Sequence, residues 1–174
     1  MLNNVYGNHA TNNGGGSYLN NSINTTIIGS VYSNSATISG GGLYLANSTY
    51  NTINGSVYSN SANNGGGGLY LYGSTYNMIS GSVYGNYSVA DGGGLYLYGS
   101  HNNTISGISG RVYSNRANSG GGLYLYSSDY FTNTGWITNN RASVSGGGVY
   151  TNTSHPNSYL GVGRVINNIP NNFN

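Results

Sequence analysis

Three residues of this chain carry groups from which a metal site could be built: His101, Asp129 and His155. Each lies six residues after an apolar anchor, Leu95, Leu123 and Val149 in turn. Two imidazoles and a carboxylate brought together would suit a divalent transition metal. The plainer reading is a surface ladder in which Asp129 neutralises two partly charged imidazoles. That reading is preferred, so no metal and no cofactor is expected. A second set is Arg111, Trp136 and Arg164, each directly before an apolar residue. A guanidinium on each side of an indole suits cation–π stacking. Exposed Trp and Arg are typical anchors of a partner contact, and the plainer alternative is local stabilisation of a longer corner. Catalysis has little to use. The two carboxylates are Asp91, which directly precedes the Gly92 corner, and Asp129, on a different edge. A two-carboxylate mechanism needs them roughly 5 to 10 Å apart. Ser, Thr and Tyr are the only nucleophiles, without a paired base. The chain therefore reads as a non-enzyme.

Charge excludes further classes. Of 174 residues only 3% are charged, four Arg against two Asp, for a formal net charge of +2, and no charged side chain occurs from Met1 to Ala90. Nucleic acid is not an expected partner, because binding it takes clustered basic groups that displace counterions. Cysteine is absent, so disulfides and thiolate metal sites do not arise. No apolar run approaches the ~20 residues of a membrane span, and the first eleven residues lack the pattern of a secretion signal.

The elements that must position these residues follow from repetition. Glycine clusters are followed by Ser17, Leu43, Leu69, Leu95, Leu123 and Val149, at steps of 26, 26, 26, 28 and 26. Val5, Val31, Val57, Val83, Val112, Ile137 and Val165 are each followed three residues later by Asn, and Ile27, Ile53, Ile79 and Ile105 recur 26 apart. A period in this range marks a repeat architecture. Within a unit the apolar residues alternate, Leu43 and Leu45 flanking Tyr44, as in a strand with one buried face. Gly, Asn, Ser and β-branched residues are poor helix material. Three short strands fit each unit, near Leu43 to Leu45, Thr52 to Ile53 and Val57 to Ser59. A chain that turns several corners in 26 residues and then repeats must lay each coil on the last, about 4.8 Å away. The expected fold is all-β, a right-handed parallel β-helix of about six coils in a single domain over 1–174. Residues 1–13 read as an N-terminal half-coil able to donate its strand to a neighbour, 14–145 as regular coils and 146–174 as a terminal coil.

Stacking places like on like. Leu43, Leu69, Leu95, Leu123 and Val149 form an internal column. Tyr18, Tyr44, Tyr70, Tyr96, Tyr124 and Tyr150 form an external one, and Tyr6, Tyr32, Tyr58, Tyr84 and Tyr113 form a second. The asparagines can bond amide to amide along the axis. Glycine at the corners supplies φ > 0 or close approach to the neighbouring coil. Matches to N-x-[ST] at Asn20, Asn24, Asn47, Asn54, Asn86, Asn102 and Asn152 would allow glycan attachment.

The tetrapeptides GGG[LV] and VYSN resemble the paired G-G-[AG]-[ILV] and F-x-x-N repeats of polymorphic outer-membrane proteins and related autotransporter passengers, within the pectin-lyase-like β-helix superfamily. The resemblance runs from Val5 to Asn168, with Val in place of the motif's Phe. It implies a cell-surface or extracellular location and an adhesive or structural role. No capping element is visible at either end, and bare terminal coils are unpaired sheet edges. The expectation is therefore a structural filament subunit whose partner is another copy, joined head to tail. Its contacts would come from Met1, Leu2, Val5 and Tyr6 at one end and Val165, Ile166 and Phe173 at the other, with Arg111, Trp136 and Arg164 as additional partner-facing residues. The alternative is an adhesin segment whose tyrosine ladders bind glycans or protein.

Overall fold

Alternating Leu-Tyr-Leu and Val-Tyr segments bury one face only if identical segments stack above and below them, and the chain does this throughout. A computed structural model describes residues 4–107, 109–152, 159–161 and 163–174. Among these residues there is no helix; every sheet is parallel and built from successive coils. The valine sheet has seven strands, Val5–Tyr6, Val31–Tyr32, Val57–Tyr58, Val83–Tyr84, Arg111–Tyr113, Trp136–Thr138 and Arg164–Ile166. The leucine sheet runs from Ser17–Asn20 through Leu43–Ala46, Leu69–Tyr72, Leu95–Tyr98 and Leu123–Tyr126 to Val149–Asn152. The isoleucine sheet runs from Thr26–Ile27 to Tyr159–Gly161. Register is strict: Leu43 pairs with Leu69, Leu69 with Leu95, Leu95 with Leu123 and Leu123 with Val149.

The expectation of three strands per coil is corrected to four. A further sheet joins His9–Ala10, Ser35–Ala36, Ser61–Ala62, Tyr87–Ser88, Arg116–Ser119 and Arg141–Ser145. It exists because the residue between Tyr and Asn of each V-Y-S-N motif turns the backbone sharply. Ser33, Ser59 and Ser114 adopt φ of 54°, 54° and 55°, a left-handed conformation costly for a non-glycine residue. After that turn the chain is extended again, and its inward alanine, Ala36 or Ala62, is buried. Residues 4–13 are engaged in the same way. Val5–Tyr6 pairs with Val31–Tyr32 and His9–Ala10 with Ser35–Ala36, within the chain.

The core is one continuous column bundle of Ile, Val and Leu from every coil, with Phe131 near its C-terminal end. Val31 through Val149 contribute anchors with no solvent exposure, whereas Val5, Leu19 and Val165, in the outermost layers, are only partly buried. The triplet Gly40, Gly41 and Gly42 shows why glycine precedes each leucine strand. Gly40 has φ +66°. A Cβ on Gly41 would run into the Ser61 carbonyl oxygen, and one on Gly42 would lie 2.7 Å from the Gly68 carbonyl oxygen and 2.9 Å from Asn60 Nδ2. One glycine supplies the turn; the next two allow backbone contact with the neighbouring coil.

Candidate functional site: the ladders, the ends and the arginine face

The asparagine of each V-Y-S-N motif points inward just past the left-handed turn, where a polar side chain must be fully bonded. It is. Asn60 donates from both its backbone N–H and its Nδ2 to Asn86 Oδ1, each at 3.0 Å, while its second Nδ2 hydrogen reaches the Val31 carbonyl at 3.0 Å. The same triad of bonds recurs from Asn34 to Asn140, so each Oδ1 accepts twice and each amide donates twice. A second ladder, not read from the sequence, joins Asn51, Asn77 and Asn103, and a serine ladder joins Ser48, Ser74, Ser100 and Ser128. In the next coil this second ladder gives way to an exchange. Phe131 occupies the layer position of Asn103, and Asn133 that of Ile105, where it donates to Tyr159 Oη at 2.8 Å. Burial pushes the Tyr159 hydroxyl up to about 12, the Asn133 bond opposing that shift.

The first ladder has a distinct end. Asn168 donates its N–H and Nδ2 to Asn172 Oδ1, at 3.2 and 3.1 Å, four residues on rather than one coil on. Asn172 stands where the other coils carry the third glycine: Val149 N–H bonds the Asn172 carbonyl as Leu123 N–H bonds that of Gly148. At Gly148 a Cβ would lie 2.8 Å from the Asn168 amide. The side chain at 172 thus fills the place where the asparagine of a further coil would sit. In the last described layer the core column is only partly buried at Val165, whereas the asparagine ladder is bonded by Asn172.

The tyrosines stack as expected. Ring centroids are 4.8 to 5.0 Å apart with interplanar angles of 3° to 12° along both expected columns. Tyr72, Tyr98 and Tyr126 form a further ladder, and Tyr50 and Tyr76 a further pair. In the leucine-sheet column Tyr44 and Tyr124 are buried, only 8% and 7% exposed, and Tyr70, Tyr96 and Tyr150 are half-buried. Rings of the neighbouring ladder and the glycine corner flank it: a Cβ on Gly65 would meet Tyr96 at 2.9 Å. Burial, and then the charge that Tyr18 and Tyr72 would carry, raise the Tyr44 hydroxyl to about 12; Tyr70 and Tyr96 are pushed higher still, burial again leading. Inside a ladder each ring face is covered by the next ring, so only edges and hydroxyls meet solvent. Ring faces are open where a ladder begins, as at Tyr6 and Tyr18, which are 60% and 51% exposed.

His101 and Asp129 do come together. The Asp129 backbone N–H donates to His101 Nδ1 at 3.1 Å, and the carboxylate lies 3.6 Å from the same nitrogen. In the neutral ring the accepting Nδ1 leaves the proton on Nε2. Asp129 Oδ1 is buried without a hydrogen-bond partner. His155, Met1 and Leu2 lie outside the described residues, and among the described residues no group of three metal-ligating side chains occurs. Of the glycan acceptor motifs, Asn86 is buried within the ladder with both amide hydrogens bonded, whereas Asn20, Asn24, Asn47, Asn54 and Asn152 are exposed. A shallow groove of about 450 Å³ opens between the Tyr50–Tyr76 pair and Met78 and Thr104.

Arg111, Trp136 and Arg164 are register partners on three consecutive coils, the guanidinium carbons 5.9 and 5.1 Å from the indole centroid. Beside them, Arg116 and Arg141 are register partners as well, which sequence reading did not single out. All four cations of the chain therefore lie on two adjacent sheets within three coils. Among the described residues no helix is long and apolar enough to cross a membrane. Comparison with family models, curated proteins and solved structures finds no match to the chain.

Proposed function

We propose that this chain is a non-enzymatic structural unit of an extracellular or cell-surface fibre, and that copies stack end to end along the solenoid axis. What supports the reading is the strict register that carries each leucine and asparagine column from coil to coil, a pattern that an identical chain can continue. A second copy is a natural next layer, since its own columns keep the same spacing. The joint is heterologous and does not close on itself, which makes a thread. Low charge adds little repulsion between copies. The Asn8 side chain is exposed at the first layer, and its Oδ1 would take over the two donors that Asn172 now satisfies. Asn172 must swing aside first, so the tail competes with the incoming copy.

The same asparagine favours a second reading: a monomeric adhesive segment that holds glycans or protein along its sides. Negative-stain microscopy and sedimentation of the wild-type chain and of Asn172→Gly separate the two. Stacking predicts threads, forming at lower protein concentration in Asn172→Gly because the glycine of every other coil is restored. Single rods roughly 30 Å long (six steps of about 4.8 Å) for both proteins, even when concentrated, would reject the fibre.

A further inference from the structure

The arginine face carries an inference independent of assembly. Arg116 and Arg141 stand directly opposite each other on adjacent parallel strands, both side chains exposed. Like charges in that position are destabilising. Among the described residues neither is paired with a carboxylate, the one close carboxylate contact being that of Asp129 with His101. A chain with only six charged residues has thus set four of them, all positive, on two adjacent sheets within three coils. The valine-sheet row of Arg111, Trp136 and Arg164 adjoins this pair across the turns at Ser114 and Asn139.

The geometry points to a sulfated polysaccharide as the partner of this face. Arg116 and Arg141 are register partners one coil apart, about 4.8 Å along the axis at the backbone. A tetrahedral oxyanion offers three terminal oxygens in different directions and so engages two forks at once more readily than a planar carboxylate with two. Arg111 and Arg164 are separated by the indole and two coil steps, on the order of 10 Å. One small anion cannot span that distance and also reach Arg116 and Arg141, so the ligand is a chain of repeated charges. A nucleic acid is the less suited partner: both faces of Trp136 are occupied by guanidiniums, and four arginines in a chain of net charge +2 make no extended basic footprint for a phosphate backbone. The surrounding side chains, Tyr113, Thr138 and Asn118, supply hydroxyl and amide groups suited to sugar hydroxyls.

The test measures binding of the full chain to fluorescent dextran sulfate by anisotropy, with neutral dextran, carboxymethyl dextran, single-stranded DNA and phosphatidylserine vesicles as competitors. Dextran sulfate is expected to bind in a salt-sensitive manner and to be displaced by none of these as effectively as by itself. The double variant Arg116→Gln/Arg141→Gln should weaken binding at least about tenfold. Its melting temperature should stay the same or rise, because the repulsion is gone; a merely structural pair would lower it. Unchanged dextran sulfate affinity in the double variant, absence of binding by the wild type, or stronger competition by DNA, vesicles or the carboxylated polymer would overturn the assignment.

Discussion

The asparagine ladder and the tyrosine ladder beside it run through the same coils at the same spacing, yet they hold the molecule in different ways. Inside, Asn34 through Asn140 each exchange bonds with the coils before and after, and every donor and acceptor depends on a neighbour. Outside, Tyr32, Tyr58 and Tyr84 touch ring to ring at 4.9 Å, and a ring that loses its neighbour meets water instead. The interior ladder is directional, with N–H donors aimed toward the C-terminal coils and Oδ1 acceptors toward the N-terminal ones. The exterior one has no direction. Where the repeat stops, the two also behave differently. The asparagine ladder requires a terminator, and Asn172 supplies it; the tyrosine column of the valine sheet simply changes from Tyr113 to Thr138.

The largest effect should come from breaking the interior ladder at its middle. Asn86→Ala removes the acceptor for Asn60 N–H and Nδ2 and the donor to the Val57 carbonyl, all buried. At about 1 to 3 kcal/mol for each stranded buried group, less some relaxation, the expected loss is about 3 to 5 kcal/mol. Tyr84→Ala, two residues away on the outer face, removes two stacking contacts and part of a half-buried ring, about 1 to 2 kcal/mol. Urea unfolding of the two variants side by side checks the ratio. Equal losses would mean that the outer stack is as much a part of the core as the amides.

The division also explains what could be read in advance. Val, Leu and Ile columns were visible because three different residue types recur at one step, and Asn34, Asn60 and Asn86 stood at a fixed offset from them. The Arg111–Trp136–Arg164 row followed from the same alignment. The fourth strand was hidden, since Ser35–Ala36 is two residues long with one inward methyl, too short for an alternation to register. The ladder of Asn51, Asn77 and Asn103 was masked by the abundance of Asn in the chain. Asn172 could not be found by a 26-residue comparison, because it acts on a residue four positions earlier. The exchange of Phe131 and Asn133 broke the isoleucine column for the same reason: two inward positions traded roles, and each looked like the end of a pattern. The pairing of Arg116 with Arg141 needed the fourth sheet before it could be seen.

Alkaline pH sharpens the comparison because the asparagine ladder cannot ionise, whereas the tyrosine column of the leucine sheet can. A tyrosine in the unfolded chain titrates near 10. Burial raises the Tyr44 hydroxyl to about 12, and those of Tyr70 and Tyr96 further. The folded state therefore holds these protons more tightly than the unfolded one. Their contribution is complete below about pH 10 and is lost as pH climbs through about 12. Absorbance at 295 nm should show this group ionising together with the loss of circular dichroism, rather than before it. Replacing Tyr44, Tyr70 and Tyr96 by Phe should move the alkaline midpoint upward while leaving neutral stability nearly unchanged. An unaltered midpoint would place the alkaline limit elsewhere than in this column.

The smallest effect tests whether bonding, rather than mere burial of a polar group, is what makes the interior amides favourable. Ser88 occupies the inward position filled by Ala10, Ala36, Ala62, Ala117 and Ala142 in the other coils. It is fully buried, and its hydroxyl has no hydrogen-bond partner. Asn86, two residues earlier, is equally buried and fully bonded. Ser88→Ala removes one unpaired oxygen and leaves the methyl-sized contact that the other coils use. It should stabilise the chain by about 1 kcal/mol, since the desolvation of an unpaired group is recovered and no bond is lost. Unfolding measured on Ser88→Ala against wild type decides the matter. A loss of stability would mean that the Ser88 oxygen is bonded in solution, and the contrast between a saturated ladder and a lone buried hydroxyl would then no longer hold.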